Sequence, residues 1–128
     1  MDESTVPFLS SISTFSNTGV YERELKRDLL RLVPALEEYI NVKLNLEELV
    51  WKSFISHLTR LLERIYDNKL IQGEPQRMNT EVRYAFHLHH KAIQTIFNHV
   101  ISDKKLELTL IEMYFLVLYF LRLKTESS

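Results

Sequence analysis

Three basic side chains share one face of a predicted helix: His57, Arg60 and Arg64. The arginines follow the histidine by three and seven residues, spacings that place all three side chains on neighbouring turns. A neutral imidazole is a competent nucleophile near neutral pH, and guanidinium groups bind phosphoryl oxygens through paired hydrogen bonds. The pattern therefore indicates a histidine that accepts a phosphoryl group, although it also fits a core histidine with surface arginines beside it.

A second group of histidines comes later in the chain, at His87, His89, His90 and His99. His87 and His90 would share a helix face, which makes a transition-metal site conceivable. No carboxylate supports such a site apart from the more distant Glu81. We therefore expect a helix that is simply rich in histidine, with a histidine-rich metal-binding protein as the alternative.

The remaining residues offer no catalytic arrangement. The chain contains no cysteine, no glycine-rich phosphate loop and no serine nucleophile elbow. The aromatic residues of its last apolar segment fit core packing better than a platform for nucleic-acid bases, because no basic stripe accompanies them. We expect no enzyme activity, no bound metal and no cofactor.

Helices must position these side chains, because the chain has few residues that make turns. The 128 residues include two glycines and three prolines, and no alternation of polar and apolar residues indicates strands. Leucines at spacings of three and four predict a helix from residue 21 to about Leu32, after which Pro34 opens a second helix. A long third helix begins at an Asn45 cap and runs to about Asn68.

Two further helices follow a loop over residues 69–77. Asn79 or Thr80 is expected to cap the first of them, before a short polar connection leads to the second. Thr109 and Glu112 have the spacing of a capping box in front of this last, almost wholly apolar helix. The predicted fold is all-α, a compact bundle of about five helices behind a tail rich in serine and threonine.

Composition also narrows the possible partners and the compartment. The net charge of −1 removes the usual electrostatic reason to expect nucleic-acid binding. No secretory signal is evident, and the most apolar stretch, residues 113–121, is too short to span a bilayer. We therefore expect a cytoplasmic protein that does not bind membranes or nucleic acid directly.

Four segments, in a fixed order, carry a pattern shared with one family of regulators. In residues 53–65, His57 follows an apolar helical run and precedes Glu63 and Arg64 by six and seven residues. In the closing segment, Glu112 stands at a helix start and Tyr119 follows it by seven residues. With two further segments, these features resemble the PTS regulation domain, or PRD. The two further segments are residues 36–44 and 83–93.

The resemblance implies a five-helix bundle that usually dimerises and is phosphorylated on histidine. His57 is the implied phosphorylation site, with Arg60 and Arg64 supporting the phosphate and with Glu63 and Glu112 as signature residues. The implied phosphate donor is the phosphocarrier HPr or a sugar-specific enzyme IIB. Tyr119 occupies the place of the family's second histidine, and because a phenol cannot take over phosphohistidine chemistry, we expect that site to be degenerate.

The resulting prediction is a phosphorylation-responsive domain of a sugar-operon transcriptional regulator. The chain is most similar to the C-terminal PRD of levanase-operon-type sigma-54-dependent activators, or to a stand-alone PRD protein. We predict a tail or linker over residues 1–20, a linker helix over 21–33 and the PRD-like domain over 34–124. The alternative within the family is a dimerisation module that is no longer phosphorylated.

Overall fold

A computed structural model describes residues 20–101 and 106–126, which form four α-helices and no strand. The helices are α1 (Glu22–Ile40), α2 (Leu49–Asp67), α3 (Thr80–Val100) and α4 (Leu110–Glu126). Helix α1 packs against α2 and α3, and α4 packs against the same two helices, so the four enclose a common core. The predicted all-helical bundle is confirmed, but the described residues hold four helices rather than about five.

Helix α1 continues through Pro34, so the predicted helix end near Leu32 is wrong. Leu29 and Leu36 lie on either side of the proline and are fully buried, so one apolar face spans the whole helix. This burial outweighs the backbone hydrogen bond that a proline removes inside a helix. Pro34 itself is exposed, so the carbonyl group that loses its donor lies on a surface that water can reach.

Two predicted segments fall outside the described residues. They are the tail, of which only Val20 is described, and the polar connection over residues 102–105. A single continuous helix, α1, crosses the predicted boundary between the linker helix and the domain. The bounds of the tail, the linker and the domain stay predictions.

Every helix contributes large side chains to one continuous core. Leu29 of α1, Trp51 and Phe54 of α2, Phe97 of α3 and Phe120 of α4 are all fully buried. Burial of one such side chain contributes roughly 1.5–3 kcal/mol, so this core is the main source of stability. It fixes the face that α2 turns towards α4, which is the face that carries His57.

Helix α4 is the most apolar of the four and lies between α2 and α3. Its buried residues recur on both sides of the helix, as the sequence predicts for an element packed against two neighbours. They include Met113, Leu116, Val117, Phe120 and Leu123. Among the described helices, none combines the length and the apolar character needed to cross a lipid bilayer.

The helix caps follow the sequence in one case and depart from it in another. Asn79 caps α3, since its side-chain oxygen accepts a hydrogen bond from the Val82 N–H at 2.8 Å. The predicted Asn45 cap is wrong, because α2 begins at Leu49 and Asn45 accepts the Glu47 N–H at 3.0 Å within the preceding turn. A polar residue in a turn can bond a nearby backbone amide without starting a helix.

Replacement of Asn79 by Ala should lower the free energy of unfolding by about 1 kcal/mol, because the cap bond to the first turn of α3 is lost. Denaturant unfolding measures the change. Thr80→Ala is the matched control, since Thr80 is exposed and forms no cap bond, and its effect should stay within about 0.5 kcal/mol. Equal losses in the two variants would contradict the capping role.

Candidate functional site

His57 lies in the middle of α2, where the helix crosses α4. Its ring lies 5.1 Å from the Tyr119 ring in a tilted arrangement and 5.9 Å from the Phe115 ring in an edge-to-face arrangement, measured between centroids. On the same stripe of α2, Val50, Phe54 and Leu61 are buried, whereas His57 is half-buried. The histidine therefore stands at the edge of the core rather than inside it.

The imidazole is held in its neutral form. Burial lowers the pKa of His57 most strongly, the positive charges of Arg64 and Arg60 lower it further, and the Glu112 carboxylate opposes them, which leaves a pKa of about 4. Nε2 is shielded and has no hydrogen-bond partner among the described residues. A neutral ring keeps one nitrogen lone pair free, which is the form that can act as a nucleophile.

His57 opens on a pocket of about 640 Å³ between α2 and α4. Most of its polar side chains come from successive turns of α2, and aromatic rings of α4 form the opposite wall. We call this the His57 pocket. It is lined by Lys52, Ser53, Ser56, His57, Arg60, Arg64, Ile71, Phe115 and Tyr119.

Two of the cations in the His57 pocket are available to a ligand. Lys52 and Arg60 are exposed, and neither side chain forms an ion pair or hydrogen bond with another described residue. Ser53 and Ser56 add hydroxyl donors beside them. An anion that enters this pocket meets unpaired positive charge and hydrogen-bond donors, and its binding site is neither wholly exposed nor wholly buried.

Arg64 also reaches the pocket, but its guanidinium group is already paired. Nε and Nη2 donate to the two carboxylate oxygens of Glu112 at 2.8 and 2.7 Å. Glu112 is fully buried and Arg64 is 23% exposed. This two-point ion pair joins α2 to α4, so in this structure Arg64 supports the fold rather than an open phosphate site.

Glu112 has a second role, which is to hold the connection between α2 and α3 in place. One of its carboxylate oxygens accepts the Ile71 N–H at 2.9 Å, and the Thr109 hydroxyl donates to the Ile71 carbonyl at 2.6 Å. Half of the predicted capping box is present, because the Glu112 N–H donates to Thr109 Oγ1 at 3.3 Å. The Glu112 side chain is directed to Arg64 and Ile71. We call these bonds among Arg64, Glu112, Ile71 and Thr109 the carboxylate clamp.

The other predicted signature residues occupy different surroundings. Glu63 is buried, does not line the His57 pocket and lies six residues from the histidine, which places it on another side of α2. Tyr119, the predicted degenerate second site, lines the pocket and packs on the His57 ring. Arg122 lies over the ring of the same tyrosine, with its guanidinium carbon 5.4 Å from the ring centroid.

Sequence reasoning missed the three other polar residues of the pocket, Lys52, Ser53 and Ser56. A helical projection centred on His57 contains part of the signal, because Ser53 lies four residues before it and shares its side of the helix. Lys52 and Ser56 continue the row that ends at Arg60, with a spacing of four residues at each step. Their relation to a pocket depended on where α4 lies, which the sequence of α2 does not reveal.

The histidines of α3 do not form a common site. His89 is buried, and its Nδ1 lies 2.7 Å from the Tyr39 hydroxyl, while burial and the charge of Lys124 lower the pKa of His89. His90 bonds a backbone carbonyl one turn earlier, and His87 and His99 are exposed. In the part of the chain that the structure describes, no three potential ligands come close enough to hold a metal ion.

A larger pocket of about 1100 Å³ lies between α3 and the start of α4. Its lining combines apolar side chains such as Phe86 and Met113 with Lys91 and Gln94. Gln94 is engaged structurally, since its amide binds the Leu106 carbonyl and the Leu108 N–H. His90 also lines this larger pocket, but its Nδ1 is bonded to the Phe86 carbonyl, and Lys91 is the one cation beside it among the described residues. The smaller His57 pocket is the better functional candidate, because it places two unpaired cations beside a histidine.

No family model, curated protein or solved structure matches this chain. The likeness to the PRD family therefore stays a prediction from the sequence. The site is defined by its own geometry, a neutral histidine that lines a pocket together with unpaired cations.

Proposed function

We propose that the chain is a phosphorylation-responsive regulatory domain of a sugar-operon regulator, with His57 as the phosphoryl acceptor. One observation carries the proposal: a neutral imidazole lines a pocket with Lys52 and Arg60, which have no partner among the described side chains. A structural core histidine has no need of unpaired cations beside it. A phosphohistidine does, because the phosphoryl group adds nearly two negative charges and three acceptor oxygens.

In the proposed step, a lone pair on a ring nitrogen of His57 attacks the phosphorus atom of a phosphorylated donor protein. A nitrogen–phosphorus bond forms as the bond between phosphorus and the donor side chain breaks, and the donor atom keeps the electron pair. The proton on the other ring nitrogen can then pass to solvent. Lys52 and Arg60 bind the transferred oxygens, while Ser53 and Ser56 offer further donors.

The proposed donor is HPr or a sugar-specific enzyme IIB, following the resemblance of the sequence to the PRD family. Phosphoryl transfer to His57 would require side chains around the ring to move. Nε2 of His57 is shielded, and the rings of Phe115 and Tyr119 lie against the imidazole. Both rings belong to α4. A donor that engages the pocket must shift one of them or reach the ring from the Lys52 side.

A second copy of the chain is the proposed partner in the regulated assembly. Tyr84 and Leu88 lie one turn apart on α3 and are 70% and 58% exposed, which provides apolar surface for such a contact. The charge gained at His57 would shift the equilibrium between two arrangements of the pair, acting as a switch rather than a catalytic event.

Incubation with phosphoenolpyruvate, enzyme I, HPr and enzyme IIB should add the mass of one phosphoryl group, detected by intact-protein mass spectrometry. His57→Gln should abolish the addition, because no other histidine among the described residues lines this pocket. His99→Gln, at an exposed histidine of α3, is the matched control and should be labelled normally. Sedimentation of the two forms measures the change in association.

Label retained by the His57→Gln protein would rule out this acceptor. Absence of label on the unaltered protein with every donor would favour the unphosphorylated dimerisation module instead. Thermal unfolding of each variant verifies that a lost label does not reflect a lost fold.

A further inference from the structure

The carboxylate clamp begins at the wall of the His57 pocket. Arg64 lines that pocket and is also the only described side chain that pairs with the buried Glu112 carboxylate as a cation. It is partly exposed on the pocket side, whereas Glu112 is wholly enclosed. The same guanidinium group thus borders two positions for an anion. One is the permanent Glu112 carboxylate, and the other is the pocket, which holds negative charge only when an anion occupies it.

We propose that Arg64 exchanges partners: a phosphoryl group on His57 draws its guanidinium group away from Glu112, and this opens the carboxylate clamp at Ile71. The inference rests on the proposed function and describes how phosphorylation of His57 would change the structure elsewhere in the fold. A group with nearly two negative charges competes with a carboxylate that carries one. The exchange transfers the effect of phosphorylation from α2 to the connection between α2 and α3.

Glu112 cannot keep its position once Arg64 leaves. A buried carboxylate without its cation is strongly destabilised, so Glu112 must take up a proton or turn outward. The Ile71 N–H bond to Glu112 is lost when the carboxylate turns outward and weakened when it is protonated. Of the two clamp bonds to Ile71, only the Thr109 bond to its carbonyl then keeps its full strength.

The rate of hydrogen exchange at the Ile71 amide shows whether its bond to Glu112 in the carboxylate clamp is intact. Phosphorylation of the unaltered chain with potassium phosphoramidate, a small phosphoryl donor, avoids any dependence on the donor protein. The Ile71 amide should then exchange about tenfold faster or more, because a charge-assisted hydrogen bond no longer protects it. The Val82 amide, bonded to Asn79 at the start of α3, is the internal control and should be unchanged.

A second arm needs no phosphorylation. His57→Glu places a permanent carboxylate in the pocket, and His57→Gln is its uncharged match of nearly equal size. The Glu variant should exchange the Ile71 amide several-fold faster than the Gln variant, because a single added charge competes for Arg64 less strongly than a phosphoryl group does.

The outcomes separate this inference from the proposed function. A labelled His57 with unchanged Ile71 exchange would overturn the exchange of partners and leave the phosphoryl acceptor in place. No label, with faster exchange in His57→Glu than in His57→Gln, would remove the proposed function and support the exchange. Equal exchange in these two variants, without label, would overturn both.

Discussion

Replacement of Arg64 by Met should lower the free energy of unfolding by about 3–5 kcal/mol, the largest effect expected from a single surface-reachable side chain. Methionine keeps the unbranched stem and removes only the guanidinium group. The loss leaves Glu112, which is fully buried, without the cation that now binds both of its oxygens. Chemical denaturation monitored through Trp51, which is fully buried in α2, measures the change.

The control is a second arginine–carboxylate pair in an exposed position. Arg122 and Glu126 lie one turn apart on α4 at 3.0 Å, with side chains 44% and 51% exposed. Arg122→Met should cost at most about 0.5 kcal/mol beyond its packing on Tyr119, because water screens an exposed pair and solvates the carboxylate left behind. Comparable losses at Arg64 and Arg122 would show that the burial of Glu112 has no energetic consequence.

A double variant distinguishes a lost attraction from a stranded charge. Arg64→Met combined with Glu112→Gln replaces the carboxylate by a neutral amide whose oxygen can still accept the Ile71 N–H. It should recover much of the stability lost in Arg64→Met, because the main cost of the single change is an unpaired buried charge. A double variant as unstable as the single one would assign that cost to packing instead.

The clamp gives Arg64 a structural role that its position in the sequence does not predict. Spacing along α2 places Arg64 beside His57 on the helix surface, and that placement is correct, because both line one pocket. The partner of Arg64 lies 48 residues away, so no local pattern reveals it. The separate prediction that Glu112 stands at the start of the last helix is also correct, but its side chain turns towards α2 rather than back to its own helix.

Local patterns were reliable where one face of a helix decides the outcome. The long helix ending at Asn68 and the cap at Asn79 follow directly from leucine spacing and from asparagine chemistry. The prediction at Pro34 was wrong because it considered the backbone hydrogen bond that a proline removes, but not the burial of leucine side chains on the opposite face of the helix. Pro34 shows that tertiary packing outweighs a local helix-breaking preference when the residue faces outward.

The chemistry of His57 could be predicted from the sequence only in part. The sequence identifies the ring and its basic neighbours, and it places Phe115 and Tyr119 in the packing of another helix. It does not predict that these rings cover the imidazole, and the lowered pKa of His57 arises mainly from that burial. The arginines alone have a smaller effect, because charges near solvent are screened.

The stability of the protein should therefore fall as pH drops from about 6.5 to about 4. The folded pKa of His57 is about 4 and its ordinary value is 6.5, so in this window the unfolded chain binds a proton that the folded chain excludes. Above pH 6.5 both states hold a neutral ring, and the stability from His57 is fully present. The loss should approach about 3 kcal/mol by pH 4.

Denaturant unfolding at a series of pH values, on the unaltered chain and on His57→Gln, isolates this contribution. The Gln variant should lose less stability on acidification, although it keeps a remaining slope because burial also lowers the pKa of His89. His99→Gln, at an exposed position, should follow the unaltered chain.

Parallel curves for the unaltered chain and His57→Gln would mean that the ring is protonated as readily in the folded state as in water. A ring of that kind would be cationic for much of the time near pH 6, and it would lack the free lone pair that phosphoryl transfer requires. The acid sensitivity of the fold and the nucleophilic character of the site therefore have one cause, which is the aromatic cover that α4 places over His57.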